Sequence, residues 1–350
     1  MIEIRKKSDH FSSCQSGDSF ILKNQIFNGR LVSILTIVLV GRGCFWARNN
    51  GGCSMCGFYN VTAPDCELEK GQLHRQFRKE LGKYKNIDND ILLLIYTSGS
   101  FLDTNEVSEI DFKNILRMVN NDARIKQVDL ESLPRFINEK KLQEIKNILS
   151  DTAFGISIGL ESSNELIREK IIHKDRFSNG ELKRLSKIIK KYAELKINII
   201  LKPPFITEKE AIEDTISSFK FCKDIGADFV YIGACNIQPG TLSYYLWKSN
   251  EYSPPNLWSL LEVAKKIKPG NTDVVFGGFA DYPEPLAVAN SCDLCREKIL
   301  NELNSYKDGV GSKINCICKK NWEKEVSKNN TPLSHRFREF DELVRKLEIK

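Results

Sequence analysis

The chain has 350 residues, enough to bury one large domain with a small appendage, and this length excludes a small secreted scaffold. Hydrophobic residues make up 41% and charged residues 28% of the chain, values typical of a folded protein rather than a disordered one. The net charge of +6 is compatible with a polyanionic partner but does not require one. The longest apolar run, residues 31–40, is shorter than the roughly 20 residues that span a bilayer, so we expect a cytoplasmic protein with no membrane segment.

Short runs rich in β-branched residues alternate with amphipathic stretches, a pattern that predicts βα units and a parallel sheet. The strands are predicted at residues 33–40, 91–97, 127–130, 154–160, 197–202 and 229–233, with a further short strand at 273–276. The helices are predicted at residues 68–84, 106–120, 139–149, 180–195 and 208–225. The predicted strands are nearly continuous in apolar residues, as expected when helices cover both faces of the sheet.

Six βα units predict an α/β fold with a full or partial (β/α)6 barrel, whose active site would lie at the carboxyl ends of the strands. After residue 285 the sequence changes to a charged, cysteine-containing tail. We therefore expect an amino-terminal segment at residues 1–30, the barrel at residues 31–285 and a small Cys-rich carboxyl-terminal extension at residues 286–350.

Three cysteines, Cys44, Cys53 and Cys56, lie on one glycine-rich loop directly after the first predicted strand. In a reducing cytoplasm, grouped cysteines are more often metal ligands or catalytic groups than disulfides. Three thiolates can bind three irons of a [4Fe-4S] cluster and leave the fourth iron without a protein ligand. The alternative is a zinc site built from Cys53, Cys56 and two ligands elsewhere, but histidines are scarce and the nearest, His74, falls in a predicted helix.

The cysteine loop and the strand ends together resemble the radical S-adenosylmethionine (SAM) superfamily. The loop departs from the common Cys-x3-Cys-x2-Cys pattern by having eight residues between Cys44 and Cys53, and this widened gap is similar to that of the Elongator catalytic subunit group. Four strand-end motifs also resemble that group: Thr-Ser-Gly-Ser-Phe-Leu-Asp at 97–103, Glu-Ser-Leu-Pro at 131–134, Gly-Leu-Glu-Ser-Ser-Asn at 159–164 and Lys-Pro-Pro-Phe at 202–205.

Within that group the chain is similar to RaSEA, the radical SAM protein family of archaeosine biosynthesis. The likeness depends on the Gly-Cys-x-Trp start and Gly-Cys-Ser-Met-Cys-Gly-Phe end of the cysteine loop, on the Lys-Pro-Pro-Phe motif at 202–205 and on the cysteine pairs near the carboxyl terminus. It covers residues 41–322. It implies a lyase that cleaves the lysine C–N bond of a lysine adduct of 7-cyano-7-deazaguanine in tRNA, which leaves archaeosine. The implied partners are the modified tRNA, a lysine transferase of the ArcS type and an electron donor.

The resemblance also implies roles for individual residues. Cys44, Cys53 and Cys56 would hold the [4Fe-4S] cluster that cleaves SAM. The loop of Ser98, Gly99 and Ser100 would meet the SAM amino group through its backbone.

Further residues are expected to bind SAM through their side chains. Glu131 would accept hydrogen bonds from ribose hydroxyls, and Glu161 stands where relatives carry a polar SAM ligand. Arg168 and Lys174 compete for the SAM carboxylate, while Lys202 lies at the end of the fifth predicted strand and could point into the barrel mouth.

A second cysteine group lies in the tail, where Cys292 and Cys295 are followed by Cys316 and Cys318. Four thiolates within about 30 residues are typical of a small zinc site, although they would also suit an auxiliary iron–sulfur cluster. Two unrelated pairs of cysteines are the third interpretation. The basic tail that follows could contact RNA or a partner protein.

Two other functions compete with the lyase. One is a radical SAM transferase like the Elongator subunit, but no acetyltransferase-like domain follows the predicted barrel. The other is a non-catalytic, zinc-dependent RNA-binding protein. Motifs at five successive strand ends argue against that second function, because a binding module has no need of SAM ligands there.

Overall fold

The computed structural model describes residues 1–5, 16–27, 30–307, 309–310, 314–328 and 333–347. These residues form one eight-stranded sheet in the order β1 to β8, with β1 antiparallel to β2 and all other neighbours parallel. The strands are β1 (Asp18–Phe27), β2 (Arg30–Val38), β3 (Asp90–Tyr96), β4 (Ile125–Glu131), β5 (Ala153–Glu161), β6 (Glu194–Leu201), β7 (Phe229–Ala234) and β8 (Asp273–Gly277). The sheet is the curled, partial barrel that the sequence predicts.

Helices alternate with the parallel strands. In the described residues they are α1 (Ile2–Arg5), α2 (Phe45–Asn50), α3 (Gln72–Gly82), α4 (Glu109–Asn121), α5 (Glu139–Ile148), α6 (Asn179–Ile189), α7 (Glu208–Asp224), α8 (Leu242–Lys248), α9 (Leu257–Lys266), α10 (Asp293–Asn304), α11 (Cys318–Val326) and α12 (Phe337–Lys346). Among the described residues, no helix combines the length and apolar character needed to cross a bilayer.

All seven predicted strands are confirmed within a few residues. The predicted helix at 180–195 is wrong at its end, because α6 stops at Ile189 and β6 begins at Glu194. The apolar spacing there fits a helix, but Leu195 pairs with Ile156 in β5 and its N–H donates to the Asp228 carboxylate. Strand pairing therefore overrides the helical pattern. The predicted amino-terminal segment, 1–30, lies partly outside the described residues.

Apolar side chains between the sheet and its helices form the main core. Leu93, Val128, Ile156, Ile197 and Val230, one from each of five neighbouring strands, are fully buried. Burying one such side chain stabilises a fold by about 1.5–3 kcal/mol relative to leaving it exposed. The continuous apolar strands thus fix the sheet, and their carboxyl ends lie along one edge, where polar loops can meet.

The carboxyl-terminal cysteines lie in a segment that shares this core. Ile299 and Leu303 of α10 and Trp322 of α11 are buried in the same cluster as the strands. Helix α10 packs against α9 and β8, and α11 packs against α7. The boundary near residue 285 remains a prediction, and the packing places α10 and α11 against the side of the barrel.

Candidate functional site

A cleft at the carboxyl edge of the sheet contains the cysteine loop, residues 41–58. Side chains or backbone from the ends of β3, β4 and β5 line it together with all three cysteines of that loop. Its lining residues include Cys44, Cys53, Cys56, Ser98, Gly99, Glu131 and Lys174. The structure thus brings these seven sequence-predicted residues to one place.

The strand ends at the cleft have an unusual backbone conformation. Ser98 after β3, Glu161 at the end of β5 and Lys202 after β6 have φ angles of 56°, 62° and 57°, in the left-handed region that side chains other than glycine seldom adopt. Such strain costs of order 1–3 kcal/mol for each residue and concentrates at functional sites. Three strand ends with this strained backbone conformation lie along one edge of the sheet. They mark this edge as the candidate site.

The first half of the cysteine loop is tied to the loop after β3. The backbone N–H of Cys44 donates to the carbonyl of Ser98 at 3.1 Å. The carboxylate of Glu106 accepts from the N–H of Phe45 at 2.6 Å and from the N–H of Ser100. A Cβ on Gly99 would overlap the Glu106 carboxylate and lie 2.8 Å from the Cα of Cys44, so only glycine fits there.

Glu106 is a site residue that the sequence analysis missed. It is 3% exposed, and burial raises its pKa to about 8, although the two donated N–H groups oppose this shift. In the sequence it looks like an ordinary acidic residue at the start of a predicted helix. The predicted helix begins at residue 106, whereas α4 begins three residues later at Glu109, so Glu106 is in fact a loop residue.

The second half of the cysteine loop is held by the segment before α6. The ring Nδ1 of His173 is 2.8 Å from the carbonyl of Gly52, and the indole N–H of Trp46 donates to the His173 carbonyl at 2.6 Å. The N–H of Ser54 donates to the carbonyl of Ile172 at 2.8 Å. A π-helical turn, Ile167–Ile171, immediately precedes these contacts, and such turns are frequent at functional sites.

One ion pair dominates the electrostatics of the cleft. The ammonium of Lys174 lies 2.7 Å from Oε1 of Glu161, and both side chains are nearly buried. Burial alone would lower the pKa of Lys174, but Glu161, Cys53 and Glu131 outweigh it, so the pKa is raised and the lysine stays cationic. Burial raises the pKa of Glu131 to about 7 against the opposing effect of Lys174. Lys174 is therefore the cation of this cleft.

Two other predicted SAM-binding cations have partners inside the protein. Arg168 is fully buried, and its guanidinium donates to the carbonyls of Ser162 and Phe177 at 2.7 and 2.8 Å. The ammonium of Lys202 lies 2.7 Å from the buried carboxylate of Glu208. Neither residue is among those that line the cleft. Between the two candidates for the SAM carboxylate, the geometry favours Lys174 over Arg168.

The donor set in the cleft fits an iron–sulfur cluster with three protein ligands. Burial, followed by the nearby Glu106 carboxylate, raises the pKa of Cys44 to about 12, and burial likewise raises that of Cys53. The Cys56 thiol further raises the pKa of both Cys44 and Cys53, and all three thiols line the same cleft. Thiolates held this way are stabilised by binding a cationic metal, and three of them leave one iron of a [4Fe-4S] cluster open.

The carboxyl-terminal cysteine group, Cys292, Cys295, Cys316 and Cys318, is also assembled. Its four Sγ atoms all lie within 4.8 Å of one another. This excludes the interpretation as two unrelated pairs. The group lies against α9 on the side of the barrel, and its cysteines do not line the cleft.

Comparison with solved structures finds proteins of low similarity to this chain. The chain is 11% identical to methylornithine synthase (PylB) with a TM-score of 0.46, covering 91% of this chain and 83% of that one. It is 16% identical to the archaeal Elp3 of Methanocaldococcus infernus with a TM-score of 0.45, covering 66% and 57%. No family model matches the chain.

Comparison with curated proteins finds relatives over most of the chain. An uncharacterized protein of Methanocaldococcus jannaschii is 33% identical over 311 residues, 85% of this chain and 84% of that protein. The archaeosine synthase subunit beta of Methanosarcina acetivorans is 32% identical over 313 residues, 85% and 86%. The subunit of the same name from Thermococcus kodakarensis is 28% identical over 235 residues, 67% and 72%. The chain therefore belongs to the archaeosine synthase subunit beta family.

Proposed function

We propose that this protein is the radical SAM lyase of archaeosine formation in tRNA, and that Cys44, Cys53 and Cys56 hold its [4Fe-4S] cluster. The substrate would be the lysine adduct of 7-cyano-7-deazaguanine, whose lysine C–N bond is cleaved. The observation that carries the proposal is the presence of three thiols beside Glu131 and Lys174 in one cleft at the carboxyl edge of the parallel strands. When bound, the cluster and SAM together supply a carbon-centred radical that can abstract hydrogen from the substrate.

The residues of the cleft would position SAM. Lys174 stays cationic and can pair with the SAM carboxylate, because a charge-assisted hydrogen bond is strong in a buried site. Glu161 orients the Lys174 ammonium through their 2.7 Å contact. Glu131 can accept hydrogen bonds from the ribose hydroxyls, and the backbone of Ser98, Gly99 and Ser100 would meet the SAM amino group.

Glu106 and His173 would act indirectly, by holding the two halves of the cysteine loop. Glu106 joins Phe45 to Ser100, and His173 joins Trp46 to Gly52. A loop fixed at both ends keeps three thiols pre-organised, so less ordering is needed when iron binds. These two residues are positioning residues in this proposal.

The family name includes the word subunit, and we propose that the chain acts with a lysine transferase of the ArcS type. That enzyme would attach lysine to the tRNA base before this chain cleaves it. The net charge of +6 is compatible with tRNA as the polyanionic substrate. An electron donor is also required, because reductive cleavage of SAM consumes an electron.

The first test is SAM cleavage by protein purified without oxygen. We expect about four irons bound in the cleft per chain, with 5′-deoxyadenosine released when dithionite and SAM are added. Cys53→Ala should abolish this release, whereas Cys222→Ala, which removes a buried thiol outside both cysteine groups, should retain it. Iron-free protein that fails to cleave SAM after reconstitution would contradict the proposal and favour a non-catalytic RNA-binding protein.

The second test supplies tRNA that carries the lysine adduct. Archaeosine formation that depends on SAM and on Cys53 is the expected result. A product in which a group has been added to the base, with the lysine retained, would instead indicate a transferase of the Elongator type.

A further inference from the structure

The sulfur atoms of the carboxyl-terminal cysteine group are arranged around one point. The Sγ–Sγ distances are 3.6 Å for Cys292–Cys295, 3.3 Å for Cys292–Cys316, 3.5 Å for Cys295–Cys318 and 3.5 Å for Cys316–Cys318. Four sulfurs that share a tetrahedral ion at about 2.3 Å would lie about 3.8 Å from one another. The observed separations are close to this value, and they leave room for a single ion at the centre.

A four-iron cluster requires a wider arrangement. In a [4Fe-4S] cluster each thiolate binds a different iron, so the four sulfurs surround the whole cluster rather than one ion. These four cysteines lie in the described part of the chain, and their sulfur atoms all fall within 4.8 Å of one another. The geometry therefore favours one ion over an auxiliary cluster.

The surroundings of the group suit a permanent structural ion. Cys295 is 1% exposed, and the indole N–H of Trp258 donates to Sγ of Cys318 at 3.3 Å. Such a donor stabilises a thiolate that is already bound to a metal. All four positions around the ion are filled by cysteine, and a closed set of four protein ligands is typical of a structural zinc site. We propose that Cys292, Cys295, Cys316 and Cys318 bind one zinc ion, which fastens α11 to the side of the barrel.

A buried polar contact of α11 leads inward to the barrel. Trp322 of α11 is buried, and its indole N–H donates to Oγ of Ser259 on α9 at 2.8 Å. The Ser259 hydroxyl in turn bonds to the Glu208 carboxylate, which pairs with Lys202 after β6. The ion would thus fix α11, the outer end of a buried series of side-chain contacts that reaches Lys202 after β6.

Each of the two cysteine pairs encloses an exposed apolar residue that can serve as a control for mutagenesis. Leu294 lies between Cys292 and Cys295 and is 78% exposed, and Ile317 lies between Cys316 and Cys318 and is 79% exposed. Because these side chains point to solvent, replacing them changes the same segments without removing a sulfur donor. They separate the loss of a ligand from a general disturbance of the segment.

The first experiment is a metal count on the anaerobically purified full chain, with iron, sulfide and zinc measured together. We expect about one zinc per chain, whether or not the amino-terminal loop contains iron. Replacing the zinc with Co²⁺ should give the absorption of a tetrahedral cobalt–thiolate centre. The inference is overturned by a chain without zinc, or by iron and sulfide that remain in Cys44→Ala/Cys53→Ala/Cys56→Ala protein. Failure of the proposed lyase would instead appear as zinc present without iron.

The second experiment asks what the ion holds. Cys316→Ser/Cys318→Ser should lose the zinc and become sensitive to trypsin at the lysines of α11, whereas Ile317→Ser should retain both zinc and protection. If the double variant is insoluble, zinc can be released from the wild-type chain with a mercurial reagent, and trypsin digestion then gives the same readout. Zinc retained by the double variant, or α11 still protected after zinc release, contradicts the proposal.

Discussion

The two cysteine groups use the same side chain in opposite arrangements. In the carboxyl-terminal cysteine group four sulfurs converge within 4.8 Å and fill every position around one point. In the cysteine loop three thiols line an open cleft and are not grouped in this way, and charged side chains of the strand ends lie beside them. A closed set of ligands can only hold structure, whereas an incomplete set leaves a position for a reacting molecule. The number and spacing of thiols, rather than their presence, therefore distinguishes the two.

The largest expected effect comes from removing one cysteine from each group. Cys56→Ser should abolish SAM cleavage and leave zinc in place, because only the cleft loses a ligand. Cys318→Ser should remove zinc and lower the unfolding midpoint, while the protein that remains folded keeps its iron. Iron content, zinc content and thermal unfolding of the two variants measure this directly. Equal loss of both metals in both variants would contradict the assignment of iron to one cysteine group and zinc to the other.

The next effect concerns the cation of the open site. Lys174→Met removes one partner of a buried ion pair, which costs about 3–5 kcal/mol and leaves the Glu161 carboxylate unpaired. We expect SAM affinity to fall by roughly 100-fold or more, because removing the charged partner of a buried carboxylate costs about 2–5 kcal/mol of binding free energy, and about 1.4 kcal/mol corresponds to tenfold. Equilibrium binding of SAM measures it, with Lys190→Met, which removes a surface lysine paired with Asp228, as the control. Unchanged SAM affinity in Lys174→Met would show that another group binds the carboxylate.

A smaller effect tests how the open site is held. Gly99→Ala places a methyl group against the Glu106 carboxylate and the backbone of Cys44, and such overpacking costs about 1–3 kcal/mol. Iron incorporation should fall, while zinc content should not change. Gly82→Ala is the matched control, because a Cβ there meets nothing nearer than 3.9 Å. In a helix that substitution should stabilise the fold by about 0.5–1 kcal/mol. Equal iron content in the two alanine variants would contradict the account.

The last effect is on the pH dependence of the free energy of unfolding. Burial raises the pKa of Asp214, which lies outside both cysteine groups, from its ordinary 3.8 to about 6, although a hydrogen bond from Ser162 opposes this shift. A raised carboxyl pKa means that the folded state binds the proton more tightly, so its contribution is complete below about pH 4 and is lost as the pH rises through about 6. The loss is at most about 3 kcal/mol.

Denaturant unfolding between pH 4 and pH 7 measures this contribution. Asp214→Asn keeps a neutral side chain at every pH and should flatten that part of the profile. An identical pH dependence in the variant and the wild type would show that Asp214 is not its source.

Much of the fold follows from local sequence patterns. Seven parallel strands could be predicted because their apolar runs are continuous, as in β5 and β6. Strand β1 was missed because its apolar run, Phe20 to Leu22, is only three residues long before Lys23, Asn24 and Gln25, and because it lies at an antiparallel edge. Helices α8 to α12, which all lie after β7, were also missed.

The site was predicted where motifs identify a chemical group and missed where the group acts through the backbone. The thiols were predicted from their grouping on one loop, and Glu131 and Lys174 from the resemblance to radical SAM proteins; the structure places all of them in one cleft. Glu106 was not found, because accepting N–H groups from Phe45 and Ser100 leaves no pattern in the sequence. The partners of Arg168 and Lys202 come from distant segments, so their inward pairing could not be read from local spacing.

The most direct test of the central claim is electron paramagnetic resonance of the reduced protein with and without SAM. The account predicts the signal of one [4Fe-4S] cluster that changes when SAM is added, persists in Cys318→Ser and is lost in Cys53→Ala. A cluster signal that persists in Cys44→Ala/Cys53→Ala/Cys56→Ala but disappears in Cys316→Ser/Cys318→Ser would contradict it. That result would assign the cluster to the carboxyl-terminal cysteine group.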